Sequence, residues 1–198
     1  ESDRQLLRYR NKVQNLLQAK RKMLKSLFMV SGIKIPIEND TSYWTNRYLL
    51  WVRSLQTGKA SLDLTIQMIA DDVEMLRKRL YTVNKEIRLL SKTPKYANSY
   101  KILTSTPGIG LITAMTLLTE IGDVTRFENF SKFNSFIGLY PSEFSSGEKI
   151  LKGKLTYRSH KKLRSLIIEA AWIAVRSDPA LALKYTELIK VKTKKRAI

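Results

Sequence analysis

A chain of 198 residues with 43% hydrophobic side chains can build one domain plus an extension, or two small domains, and is too apolar for wholesale disorder. Its 36 Lys and Arg against 17 Asp and Glu leave a formal charge of +19, which points to a polyanionic partner, above all nucleic acid, bound in a salt-sensitive way. With no cysteine and one histidine, disulfides and Cys/His zinc sites are excluded, and no apolar run approaches the roughly 20 residues that span a bilayer.

The chain opens ESDRQ, with neither a signal-type hydrophobic stretch nor a Met, which reads as a fragment or a processed chain. Residues 4–30 predict an amphipathic helix. Leu6, Val13, Leu16, Leu17, Leu24 and Leu27 recur at helical steps on one face, and Arg4, Arg8, Arg10, Lys12, Lys20, Arg21, Lys22 and Lys25 make the other face cationic. No acid lies between Asp3 and Glu38, so these charges lack partners on their own helix, and the face is expected to meet phosphate. Gly32 and Pro36 end the helix. Tyr43, Trp44, Tyr48 and Trp51 come next, either packing a short helix on its neighbours or stacking on bases.

Residues 60–92 carry an unbroken heptad seam: Leu62, Ile66, Ile69, Val73, Leu76, Leu80, Val83, Ile87 and Leu90. A helix of this length reaches ~50 Å. The seam can pack on the first helix, form a coiled coil between subunits, or do both. Thr93-Pro94 breaks it, which divides the chain into a helical coiled-coil region, 1–95, and a small helical domain, 96–198. The expected fold is therefore mainly α.

The second region begins with a helix–hairpin–helix pattern. A short helix ends near Thr106, Pro107-Gly108-Ile109-Gly110 makes the turn, and Leu111 to Ile121 forms the second helix, closed by Gly122. In such a unit the turn amides and the helix N-terminus face a phosphate without reading sequence, which makes Gly108 and Gly110 candidate nucleic-acid contacts. Asn129 to Tyr140 predicts a helix with Phe130, Phe133 and Phe136 turned inward. Pro141 to Thr156 is irregular or a short hairpin. His160 to Arg176 and Pro179 to Lys190 predict two further helices.

Chemistry concentrates between Ser142 and Arg164. The tandem Ser145-Ser146-Gly147 precedes Lys149, Lys152, Lys154, Arg158, Lys161, Lys162 and Arg164, with no acid among these cations. Such a charge stabilises a phosphate oxyanion and favours an ionised serine, Gly147 opens access, and Arg158 and Arg164 suit bidentate phosphate contact. Ser142, Ser145 and Ser146 are the nucleophile candidates. His160 relays protons, packs, or binds phosphate. The carboxylates Asp71, Asp72, Glu120, Asp123, Glu143, Glu148, Glu169 and Asp178 are scattered and form no metal constellation. Glu169 is expected to pair with a cation near the core, and Asp123 to cap a helix or turn.

The segments TSTPGIGLITAMTLLTEIGD, RFENFSKFNSFIGLYPSEFSSGEK and LRSLIIEAAWIAVRSDPAL occur in an order and spacing that is highly specific. Through them the chain, from Arg4 on, resembles the recombinase family of bridge-RNA-guided insertion-sequence transposases, which includes the pilin-gene invertases. The resemblance implies a RuvC-like domain with an Asp-Glu-Asp-Asp metal site, a coiled-coil linker and a C-terminal transposase domain with a catalytic serine. Only the linker and the transposase domain correspond to this chain. The family's serine precedes a glycine, which matches Ser146, with Ser145 as the fallback. Arg158 and Arg164 carry over, whereas the family's Lys-Arg-Gly-Asn run is Tyr157-Arg158-Ser159-His160 here.

The same resemblance implies DNA strand exchange through a serine–phosphate bond, with no cofactor in this chain and magnesium in the whole enzyme. The partners would be DNA, a guide (bridge) RNA and further copies of the chain through the coiled coil, with no membrane. The location would be the bacterial cytoplasm, at the nucleoid. Lys149, Lys152, Lys154, Arg158, Lys161 and Arg164, with Arg8 and Lys12 of the first helix, would contact nucleic acid. The alternative is a non-catalytic nucleic-acid-binding and dimerisation module.

Overall fold

In the computed structural model, residues 1–36, 44–146, 149–155 and 160–198 are described, with 141–146, 149–155, 195 and 196 described by backbone alone. The fold is mainly α, as the periodicities predict. The helices are α1 (Ser2–Val30), α2 (Asn46–Ser54), α3 (Ala60–Leu90), α4 (Ala97–Thr104), α5 (Leu111–Ile121), α6 (Phe130–Ile137), α7 (Lys161–Ser177), α8 (Pro179–Ile189) and α9 (Lys194–Ala197). Among the described residues an antiparallel ribbon of β1 (Pro141–Ser146) and β2 (Lys149–Leu155) interrupts them. The chain separates into two compact units, one of residues 4–86 with Ser2, the other of residues 87–198 with Glu1 and Asp3.

The first unit is built on the predicted seam. Ile66, Ile69, Val73 and Leu76 of α3 are buried in one cluster with Val13, Leu17, Leu24 and Phe28 of α1 and with Tyr48, Leu49 and Val52 of α2. Leu62 and Leu80 extend that cluster. The seam is therefore covered by its own chain along this unit, as in the first of the arrangements the sequence allowed. Burial of an apolar side chain of this size stabilises by about 1.5–3 kcal/mol, which makes the seam the main source of cohesion here.

On α1 the buried register differs from the one expected. Leu7 and Phe28 are buried, whereas Leu16 is 53% exposed. The register passes through Arg10 and Arg21, both half-buried, so a pattern drawn on leucines alone misses it. The cationic face is also less bare than α1 by itself implies, because Lys20 pairs with Asp72 of α3 at 2.7 Å.

The aromatics around α2 pack rather than present free faces. Trp51 meets Phe28 edge-on at 5.7 Å, and Tyr48 lies 4.8 Å from Trp44. Trp44 is 9% exposed and Tyr48 3%, which leaves neither ring open to a base. Tyr43 lies outside the described residues. Thr45 caps α2 by accepting from the Tyr48 amide.

In the second unit α5 packs against α4 and α7. Ala114, Met115 and Leu117 are buried, and the buried hydroxyls of Thr116 and Thr119 donate to carbonyls one turn back. Leu163, Leu166, Ala170 and Ala174 form the buried stripe of α7. Asp178 caps α8, accepting from the amides of Ala180 and Leu181, with Pro179 in the first turn. Phe130 departs from expectation: it is 73% exposed, while Phe133 and Phe136 are half-buried. It follows the N-cap Asn129 directly, at the open first turn of α6.

Candidate nucleic-acid interface

Residues 105–110 connect α4 to α5, and the two glycines of the turn differ in kind. Gly108 has φ +88°, and a Cβ there would meet the Ala170 carbonyl oxygen of α7 at 2.4 Å. This glycine is required by its own fold, both for its left-handed backbone and for the close approach to α7. Gly110 is the N-cap of α5 with φ −91° and ψ −176°, a conformation open to any residue. A Cβ there would meet nothing within 4 Å, and Gly110 is exposed. No cap hydrogen bond comes from a side chain, so the first amides of α5 stand at an exposed helix start.

The serine segment adopts the hairpin alternative. Ser145 pairs with Ile150 and Ser146 with Lys149, and the register shifts between Pro141 and Glu143. Because the pleat alternates, positions 145 and 146 fall on opposite faces of the ribbon. Lys152 pairs with Glu143, and Lys154 follows two positions on in β2. Gly147, Glu148 and Arg158 lie outside the described residues.

At the start of α7, His160 Nε2 lies 3.1 Å from Glu120 Oε2 of α5. The Glu120 side chain is 5% exposed and that of His160 25%. The imidazole also packs on Phe136, ring centroids 5.7 Å apart. Glu120 was legible only as one acid among several. The signal that could have singled it out is its place on the face of α5 shared with Leu117 and Ala114, where a buried carboxylate needs partners. The expected core pairing of Glu169 is not found: Glu169 is exposed and accepts from Ser165 on its own helix at 3.1 Å.

Arg164 donates from one terminal nitrogen to the Gly138 carbonyl at 3.0 Å, which ties α7 to the end of α6. The rest of its guanidinium fork retains donors for a phosphate. Lys161 and Lys162 are exposed on the first turn of α7. Asp123 caps the short 3-10 turn Val124–Arg126, as expected, accepting from the hydroxyl and the amide of Thr125. Those two hydrogen bonds, the hydroxyl's first, hold its carboxyl below the ordinary Asp range. In the other unit Arg8 and Lys12 are exposed on α1. Among the described residues no group of three or more Asp, Glu or His converges on a possible metal position, and no helix is long and apolar enough to cross a membrane.

Comparison with known proteins fits this arrangement. Residues 100–186, from α4 into α8, match the model of the transposase IS116/IS110/IS902 family. The pilin gene-inverting protein of Moraxella bovis is 30% identical over 144 residues, 71% of this chain and 42% of that protein. The transposase for insertion sequence element IS1533 of Leptospira borgpetersenii is 27% identical over 181 residues, 87% of this chain and 49% of that protein. The transposase for insertion sequence element IS1111A of Coxiella burnetii is 36% identical over 67 residues, 34% and 18% of the two chains. The chain thus spans less than half the length of each of these relatives. The turn, α5, the β1–β2 ribbon and α7 all fall inside the matched segment, so residues 100–186 are similar to the transposase IS116/IS110/IS902 family across these elements.

Proposed function

We propose that this chain is part of a DNA transposase or site-specific recombinase, and that Ser146 is its nucleophile. The Ser146 Oγ attacks a backbone phosphorus. An Oγ–P bond forms, one P–O bond to a sugar breaks, and the departing strand leaves as a hydroxyl that takes up the proton. Cations of the same segment neutralise the phosphate, Lys149 opposite Ser146 in the ribbon first and then Lys152, Lys154, Arg158, Lys161 and Arg164. The first amides of α5, after Gly110, hold a neighbouring phosphate in the manner of a helix–hairpin–helix. The observation that carries this reading is the family match over residues 100–186, which spans the turn, the ribbon and the start of α7.

A guide RNA, magnesium and assembly of several copies belong to the same proposal. Magnesium would be held by carboxylates of a RuvC-like domain outside this sequence. The described residues supply no such set. With the seam covered, contact between copies falls to apolar side chains left exposed on the first unit, among them Leu16, Met23, Leu64 and Met68.

The experiment is the trapping of a covalent protein–DNA adduct by the whole protein with magnesium and guide RNA. Ser146→Ala should abolish the adduct and leave DNA binding almost intact, because one hydroxyl adds little to a contact dominated by charge. Ser145→Ala, altered on the other face of the ribbon, should retain it. An adduct that persists in Ser146→Ala and disappears in Ser145→Ala moves the nucleophile by one residue. Persistence in both means that neither serine is the nucleophile, whereas a wild-type protein that binds DNA and forms no adduct favours the non-catalytic nucleic-acid-binding module.

A further inference from the structure

The first unit contains a cleft of about 990 Å³ between α1, α2 and α3 that the serine chemistry does not use. Its floor is apolar, from Leu17, Leu49 and Leu80, and its charged lining is four cations, Arg21, Arg53, Arg77 and Lys78, against one carboxylate, Glu74. Glu74 is engaged by Arg53 at 2.9 Å and by Lys78 at 2.8 Å, and Arg53 also binds Asp71 at 2.6 Å. Arg21 and Arg77 have no carboxylate among those contacts. Arg77 donates to Asn46 at 3.2 Å. Arg21 lies over the Trp44 ring at 5.4 Å, and its buried Nε has no hydrogen-bond partner among the described residues.

Two guanidinium groups that share a half-buried cleft repel each other, and the repulsion is expressed in Arg21. Burial first and the like charge of Arg77 second pull it below its ordinary value. An anion between the two would relieve both effects and give the buried Nε–H an acceptor. The rim carries the complementary apolar element, since Leu50 is 67% exposed and Tyr81 74% exposed at the same cleft. A cationic groove beside an exposed aromatic is the arrangement that holds a single strand, phosphate on the arginines and base on the ring. A duplex keeps its bases stacked inside and could use only the cations.

We propose that this cleft binds a single strand of nucleic acid, with a phosphate between Arg21 and Arg77 and a base against Tyr81 and Leu50. The site rests on the nucleic-acid part of the function proposed above and is independent of the serine.

The test is fluorescence anisotropy on the intact chain with labelled oligothymidylate, oligouridylate and a duplex of matching length, across a salt series. Arg77→Ala and Tyr81→Ala should each weaken single-strand binding by roughly tenfold and leave the duplex almost unchanged. Arg77→Ala should also lower the salt slope by about 0.7, the loss of one phosphate contact on a single strand. Arg21→Met, which keeps a long unbranched side chain and removes the guanidinium, should act like Arg77→Ala. Lys59→Ala, which removes an exposed charge of the same unit outside the cleft, should stay within roughly twofold of wild type. Helix content by circular dichroism guards against an unfolded variant. Loss on thymidylate, uridylate or both supports the site and identifies which strand it takes.

Three results would overturn it. Arg77→Ala could bind single strands as Lys59→Ala does. Duplex and single strand could weaken together. Tyr81→Ala could change nothing while Arg77→Ala does, leaving a phosphate contact and no strand site. A wild-type chain that binds no nucleic acid would also sink the proposed function, whereas unchanged binding by Arg77→Ala beside a working wild type sinks the cleft alone.

Discussion

His160 Nε2 and Glu120 Oε2 meet at 3.1 Å across 40 residues of sequence, joining the start of α7 to the last turn of α5. The carboxylate is almost fully buried, and the imidazole is one group that offsets the cost of holding it there. Glu120→Ala should lower stability by about 2–4 kcal/mol through loss of this bond and of buried volume. His160→Ala should cost less, and the double variant less than the sum, with a coupling of about 0.5–3 kcal/mol. Urea unfolding of the four proteins measures the cycle. A coupling near zero would mean that the two groups do not hold each other.

Gly108 and Gly110 stand two residues apart and should respond in opposite ways. Gly108→Ala sets a methyl at 2.4 Å from the Ala170 carbonyl oxygen on a left-handed backbone, and should destabilise by about 2–4 kcal/mol. Gly110→Ala meets open space at an ordinary φ and should cost about 1 kcal/mol or less. If the amides beyond Gly110 hold a phosphate, its methyl should nevertheless weaken DNA affinity several-fold. Thermal melts and DNA titrations of both variants check this. Normal stability in Gly108→Ala would refute the close packing on α7.

The seam of α3 was legible because every core position is apolar and the steps never break. The register of α1 was only partly legible, since Arg10 and Arg21 occupy half-buried positions that a hydrophobic pattern passes over and draws Leu16 in instead. The turn at Pro107–Gly110 was read from its glycines, but which of them serves the fold depends on how near α7 comes, and local sequence does not contain that distance. The Glu120–His160 pair is hidden for the same reason. The cationic run from Lys149 to Arg164 was plain, whereas the division of Ser145 and Ser146 between two faces depends on the segment being a strand, which the sequence left open between a hairpin and an irregular loop.

Ile66 of α3 is fully buried while Leu64, two residues earlier, is 61% exposed. Ile66→Ala should lower stability by about 2–5 kcal/mol, and Leu64→Ala should stay within about 0.5 kcal/mol. Urea unfolding gives both values. Light scattering on the same variants separates packing from assembly. A mass that drops with Leu64→Ala, at unchanged stability, assigns contact between copies to the exposed side of α3, and a mass that drops only as Ile66→Ala unfolds returns it to the seam.

Asp123 supplies a pH dependence whose sign is fixed by its hydrogen bonds. Thr125 donates from its hydroxyl and its amide to Oδ1, and both bonds favour the ionised carboxylate, so the folded value lies below the ordinary 3.8. A lowered value means that the stabilisation is fully present above the unfolded value and disappears as pH falls through the folded one. Asp123→Asn keeps an acceptor at the cap but cannot ionise. The stability gap between wild type and Asp123→Asn should therefore be constant from neutral pH to about 5 and close below 3.8 as the wild-type carboxyl protonates. The group is exposed, so the gap is small, and parallel melts of the two proteins across the acid range are needed to resolve it. A gap that instead widens toward low pH would reverse the assigned direction and leave the Thr125 contacts without an electrostatic role.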